Sequence, residues 1–315
     1  MYLFLGKKIS VVVATYNGEK FIIEQLDSII NQSVVPDEVI VADDCSSDNS
    51  LRIINEYVSN NHLDYFKIYK NERNLGWKAN FMRAIENASG DIIFTCDQDD
   101  IWKLDKIEKM SSIICKKKEI KLLVANYAVM NMRTTKTVEE KQIEKMVNDD
   151  SLVRINIDKN FHIVSRPGCT FCFQKKLFDD AKKLWINDFA HDRLLWTYAI
   201  LNKCLYKFNH TVIDFRRHDN NATGFSRLNN TSRINRANVS VRNAMIVKNI
   251  CNASVLNLNT EERNIVDKYI AFESTRAEAL DKRKICLWIK YNIWYGAFVY
   301  SLKSSIKDLF YLIKK

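Results

Sequence analysis

Over its first 130 residues the chain alternates short β-branched runs with amphipathic stretches, and nothing else in it limits the fold as tightly. Ile9–Ala14, Val39–Ala42, Phe66–Tyr69, Ile92–Cys96 and Leu122–Val129 read as strands. Between them, Glu19–Asn31, a stretch capped by Ser47 or Asp48 and running to about Ser59, Lys78–Asn87 and about Leu104–Cys115 carry helical spacing. Such alternation implies βαβ units around a mostly parallel sheet covered on both faces. Further along, the sequence predicts a strand at Cys169–Phe173, helices at about Lys175–Leu184 and Asp192–Leu201, and a strand at Val212–Arg217. From Ser232 the pattern turns helical, with segments near Ser232–Ala253, Thr260–Lys284 and Lys284–Ile313. Arg133–Asp150 is polar, highly charged and without apolar period, which suggests a mobile loop or lid between two halves.

A chain of 315 residues has room for one large domain or two modest ones, and with 7 glycines and 2 prolines it is not expected to hold long flexible linkers. Met1 to Lys8 is too short for a signal peptide, and no uncharged stretch reaches the ~18 apolar residues that span a bilayer. The 8 cysteines lack a paired framework and read as buried free thiols of a reducing cytosol. Cys169 and Cys172 have the spacing of half a zinc site, without a second pair to complete it. Of the net charge of +10, residues 282–315 supply +7.

The chemistry gathers at strand ends. Asp97-Gln98-Asp99-Asp100 closes the Ile92–Cys96 run, and three carboxylates in four residues repel one another unless a cation sits among them. Hard divalent ions take carboxylate and phosphate oxygens, and open α/β sheets bind ligands beyond the carboxyl ends of their strands. Thr15–Gly18, Asp43–Asp48 and Asn71–Trp77 are three more polar loops at that predicted edge, the last with Arg73 available to a phosphate. Each loop alone has a plainer explanation: Asp43 and Asp44 suit a helix start, and the quartet suits an acidic strand-to-helix turn. Together they favour nucleotide binding.

The runs ISVVVATYNGEKFIIEQLDSIINQS, VIVADDCSSDNS, NERNLGWKANFMRAIENASGDIIFTCDQDDIW and HDRLLW resemble, in order and over about residues 8–225, the family 2 nucleotide-sugar glycosyltransferases with the GT-A fold. DQDDIW and FRRHDNNATG are most similar to the family's bacterial rhamnosyltransferase-like branch. The resemblance implies a GT-A domain over residues 1–228, a Rossmann-like, mixed and mostly parallel sheet, followed by a helical region over 229–315. It implies donor contacts from Thr15, Tyr16, Asn17 and one of Asp43 and Asp44, with Asn74, Gly76 and Lys78 bordering the nucleotide. Asp97 would face the ribose, Asp99 and His218 a Mn²⁺ or Mg²⁺ ion, and Arg217 the charge of the leaving group. Asp192 would be the base of an inverting transfer, with His191 orienting it or meeting the acceptor; a helix start is the plainer reading of both. Cys45 stands where the family usually has glycine.

The implied donor is a dTDP- or UDP-sugar, with rhamnose suggested by the subgroup, and the acceptor is a glycan or lipid-linked glycan of a bacterial capsule, O-antigen or cell wall. A non-catalytic subunit that binds nucleotide-sugar or glycan is the rival reading.

In the tail, Ile285, Trp288, Asn292, Tyr295, Val299, Leu302, Ile306, Leu309 and Ile313 fall on one face of a helix flanked by lysines. That face suits an anionic membrane surface, or packing on the catalytic domain or a second subunit of a homo-oligomer. The expected location is cytoplasmic, peripheral on the inner face of the plasma membrane. Nucleic acid is not an expected partner, because the charge sits in an apolar, aromatic helix.

Overall fold

The computed structural model describes residues 6–131, 143, 145–218, 233–253, 256–299 and 302–313. Most of the expected lid at 133–150, and the loop at 219–224, lie outside the described residues. Four strands, β1 (Ile9–Thr15), β2 (Glu38–Asp43), β3 (Phe66–Lys70) and β4 (Ile92–Asp97), pair in parallel in the order β3-β2-β1-β4. Helices α1 (Ile22–Ile30), α2 (Ser50–Asn60) and α3 (Trp77–Asn87) make the crossovers. The sheet continues past β4 through β8 (Phe171–Gln174), β6 (Leu122–Asn131) and β9 (Leu205–Arg217), with β5 (Ile101–Trp102) and β7 (Leu152–Arg154) pairing β9. This outer half is mixed: β8 runs antiparallel to β4 and β6, while β6 and β9 are parallel.

Strand alternation divides the core. Val11, Val13, Val39, Val41 and Phe94 face one layer, and Val12, Ile40, Ile93 and Val124 the other. Helix α4 (Lys106–Lys116) covers the first layer. The second is covered by α3, α5 (Lys175–Ala181) and α6 (His191–Leu201), with α7 (Arg233–Ala253) and α8 (Thr260–Lys282) packed beyond. At about 25 cal/mol per Å² of apolar surface, each fully buried Val, Ile or Phe contributes roughly 1.5–3 kcal/mol before entropy is counted. Helix α8 opens with a reciprocal capping box between Asn259 and Glu262.

Three expectations are corrected. Strand β9 starts at Leu205, not Val212. Its first residues pair with Leu122–Ala125, and the polar Asn209 and His210 fall where the register shifts, so the apolar run looked shorter than the strand. The tail is not one helix. Helix α9 (Ile285–Trp294) ends in a 3-10 turn at Gly296–Phe298, and α10 (Leu302–Ile313) starts afresh, so the nine-residue stripe is split between two axes. The 175–184 helix stops at Ala181 and tightens into a 3-10 turn.

Candidate functional site

The parallel strands end at one edge, and side chains there bind neighbouring turns to each other. After β1, Gln98 Oε1 accepts hydrogen bonds from Thr15 Oγ1 (2.7 Å) and the Tyr16 N–H (2.8 Å), while its amide donates to the Tyr16 carbonyl (3.1 Å). A Cβ at Gly18 would lie 2.3 Å from that Gln98 oxygen, so a side chain there would push the Gln98 amide off Thr15 and Tyr16. Asn17, with φ +51°, accepts from the Ser47 N–H and donates its own N–H to Ser46 Oγ, joining the β1 turn to the β2 turn.

The two acids after β2 divide their work. Asp44 accepts from Asn71 Nδ2, the Leu75 N–H and the Gly76 N–H, each at 2.8 Å, and so shapes the 71–76 loop. Asp43 bonds within its own turn, to the Ser46 N–H at 3.0 Å. That turn puts Cys45 at φ +63°, the left-handed region where glycine is unstrained. Gly76, at φ +82°, precedes α3 and is also held by the Asn74 side chain at 3.0 Å. Lys78, on the first turn of α3, donates to both the Asp188 carbonyl and its carboxylate at 2.9 Å.

The acidic quartet crosses from β4 to β9. Asp99 is buried and its Oδ2 lies 2.8 Å from His218 Nε2, while the His218 ring packs on Phe21. Asp100 is fully buried and accepts the Arg216 N–H at 3.0 Å. Burial, then the charge on Asp99, push the Asp97 carboxyl up to about 7. Burial, then Asp97 and Asp99, raise Asp100 far above the carboxylate range. Beneath them lies Lys106, on the first turn of α4. Its Nζ donates to the Cys169 carbonyl at 2.7 Å and sits 3.3 Å from the Trp102 ring centre; burial lowers it to about 8. Next to Arg217, Arg216 holds the acid loop, donating to the Asp99 carbonyl (2.8 Å) and to Glu24 (2.6 Å). Strand alternation turns Arg217 the other way, over the Phe215 ring.

Ligand atoms of Asp97, Asp100 and Cys169 all lie within 4.8 Å of one another. That trio suits hydrogen bonding better than a hard cation, because burial keeps the Cys169 thiol protonated and a thiol is a soft donor. Asp99 and His218 fit a divalent ion: neighbouring ligands of an octahedral ion with bonds of 2.0–2.1 Å stand roughly 3 Å apart. All 8 cysteines are free, and the Cys169/Cys172 spacing forms no zinc site among the described residues.

Asp192 lies inside the first turn of α6, not at its cap; the cap is Ala190. Its Oδ1 accepts the Arg193 N–H at 2.6 Å, and its charge is close enough to raise Asp97. Gly168 fixes this approach. Its carbonyl accepts from Thr95 Oγ1 at 2.6 Å, and a Cβ there would stand 2.9 Å from His191 Nε2 and 3.3 Å from Asp192 Cβ. His191 is buried and stacked on Phe81 at 4.1 Å, and burial lowers it to about 4, so it is a neutral wedge behind Asp192 without access to an acceptor. Beside Asp192 opens a cleft of 370 Å³ lined by Trp77, Lys78, Asp188, Arg193 and, from α7, Arg242.

An acid loop at the edge of a parallel half-sheet, with a second carboxylate from a later helix brought near it, is the plan of a GT-A glycosyltransferase. The model of Glycosyl transferase family 2 matches residues 10–181, and the chain belongs to that family. It is 32% identical over 228 residues to the dTDP-rhamnosyl transferase RfbG of Shigella flexneri, covering 67% of this chain and 73% of that one. The poly(ribitol-phosphate) β-N-acetylglucosaminyltransferase TarS of Staphylococcus aureus is 33% identical over 109 residues, 34% of this chain but only 19% of that protein. In structure, residues 1–349 of TarS bound to UDP-GlcNAc align with a TM-score of 0.63 at 20% identity, covering 96% of this chain and 81% of the other. The mannosyltransferase PcManGT of Pyrobaculum calidifontis, bound to GDP-Man and Mn²⁺, aligns with a TM-score of 0.55 at 15% identity, over 98% and 88%. The last two likenesses show the fold.

Proposed function

We propose that the chain moves a sugar, with inversion, from a dTDP- or UDP-linked donor to a glycan or lipid-linked glycan acceptor of a bacterial capsule, O-antigen or cell wall. The likeness to a dTDP-rhamnosyl transferase favours rhamnose. The observation that carries this reading is Gly168, which bonds to Thr95 on the acid-bearing strand and, lacking a Cβ, lets His191 and Asp192 come up against it. Thr15, Tyr16, Asn17 and Asp43 hold the base and ribose, since Asp44 is spent on the 71–76 loop. Asn74 and Gly76 border the nucleotide, and Asp97 meets the ribose. Lys78, drawn to Asp188, sits where donor and acceptor meet.

Asp99 and His218 would hold Mn²⁺ or Mg²⁺, which when bound neutralises charge developing on the departing diphosphate. Asp192 takes the proton of the acceptor hydroxyl as its oxygen bonds to the anomeric carbon. The bond from that carbon to the diphosphate oxygen breaks, and the nucleoside diphosphate leaves with the electron pair. Among the described residues no helix is long and apolar enough to cross a membrane. We place the enzyme at the inner face of the plasma membrane as a peripheral protein with residues 1–228 catalytic and 229–315 helical.

A panel of nucleotide-sugars with Mn²⁺ tests this. Nucleoside diphosphate release from one donor, abolished by chelator, is the expected result. Binding of no nucleotide-sugar across the panel overturns the proposal.

A further inference from the structure

Helices α9 and α10 pack inward through Trp288, Tyr291 and Leu312, yet each leaves a further set of apolar side chains outside. In α10 the buried side chains are Ser305, Asp308 and Leu312, while Leu302, Ile306, Phe310 and Ile313 are 54–78% exposed. In α9 Tyr291 is buried, while Ile285, Ile289, Ile293 and Trp294 are 45–72% exposed. The exposed positions recur at three- and four-residue intervals, so each helix turns an apolar stripe away from the protein. Eight large apolar side chains left outside in two short helices mark a surface that works by being covered.

The inward face cannot be exchanged for the outward one. The Asp308 carboxylate accepts from Arg236 Nε (2.6 Å), Arg276 Nε (2.7 Å) and Tyr291 OH (3.0 Å). Trp288 Nε1 donates to the Ser305 carbonyl at 3.0 Å, and Ser305 Oγ to Asn292 at 2.5 Å. Rolling α10 over to hide its apolar stripe would carry Asp308 into water and take the shared carboxylate from half-buried Arg236 and buried Arg276.

Charge selects the occupant. Residues 282–315 hold eight basic residues and one acid, Asp308, which is buried. Lys282 and Lys284 lean on Glu278 at 3.0 and 3.9 Å, and Arg283 and Lys290 stand exposed around α9. A second copy docking through the same face would set Arg283 and Lys290 against their like. Anionic lipid headgroups complement that charge, while the Ile, Leu, Phe and Trp side chains enter the acyl boundary.

We infer that α9 and α10 are a prebuilt docking surface for an anionic bilayer, held open by the Asp308 clamp. The inference rests on the peripheral location proposed above and adds the face and the lipid charge. Flotation of the full chain with vesicles of phosphatidylcholine mixed with phosphatidylglycerol, against phosphatidylcholine alone, tests it. The expected result is flotation with the mixed vesicles only, weakened by salt, and lost by about tenfold or more in Ile306→Ser/Phe310→Ser. That double variant keeps donor hydrolysis, because both side chains point away from the protein. Flotation needs no donor, so it reads out even if the catalytic proposal fails. Equal flotation with both vesicles, no flotation, or unchanged flotation of the double variant overturns the inference. So does a dimer in sedimentation that the double variant splits.

Discussion

Lys106 and Asp308 are both buried charges set among charges of opposite sign, and the two clusters serve different ends. Lys106 lies close enough to Asp97 and Asp100 to feel their charge, and Asp97 rises to about 7 through burial and the charge on Asp99. Around Asp308 two guanidinium groups and a phenol use its oxygens within 2.6–3.0 Å, and buried Glu273 adds a second acid to Arg276 at 3.6 Å. The first cluster is the one proposed to take a cation; the second is matched within itself and serves as a brace. Buried charge therefore marks a binding site only where it is unmatched.

Removing each charge separates the two cases. Asp308→Ala takes the shared carboxylate from Arg236 and Arg276, leaving them Ser304 and Glu273, and should lower unfolding stability by about 3 kcal/mol in urea titrations. Mn²⁺ should not restore it. Lys106→Met should cost about 3 kcal/mol without metal, and Mn²⁺ should recover part of that loss by replacing the missing positive charge. Equal rescue of both variants, or of neither, would break the contrast.

A buried neutral group gives the next effect. His191 titrates at about 4 in the folded protein against an ordinary 6.5, so between those values the unfolded chain binds more protons. Its contribution is full above pH 6.5 and is lost as pH falls toward 4, by roughly 3 kcal/mol for the 2.5-unit shift. Asp97 runs the opposite way, since its raised value favours the folded state as pH falls from 7. The difference between the parent and His191→Phe, followed by urea midpoint from pH 7 to 4, isolates the histidine. Parallel curves would contradict the account. The smallest effect is at Cys45, where φ +63° strains a side chain. Cys45→Gly should leave stability unchanged or raise it by up to about 1 kcal/mol, a rise in Tm of a few degrees at most.

Much of the architecture was legible because periodicity reports burial. β1 to β4 and α1 to α3 lie close to where the alternation set them, and the four polar loops meet at one edge. What escaped depends on packing across distance. Lys106 looks like a surface lysine until Cys169 and Trp102 close over it. Gly168 carries no local signal; its need for a missing side chain comes from His191 and Asp192, more than twenty residues on. Arg216 and Arg217 are adjacent, and only the register of β9 says which one turns to Asp99. In the tail the amphipathic pattern was visible, but an apolar stripe does not say whether it faces a core. There Ser305 and Asp308 go in beside Leu312, while a full apolar stripe stays out.

In the proposed reaction Asp192 takes the acceptor's proton. Asp192→Asn keeps the side chain's size and the Arg193 contact but removes the base. Single-turnover transfer with saturating donor and Mn²⁺, beside donor binding by calorimetry, tests the claim most directly. The account predicts a loss of about 10²–10⁴-fold in transfer with donor Kd unchanged. Transfer within a few-fold of the parent, at unchanged donor Kd, would contradict it.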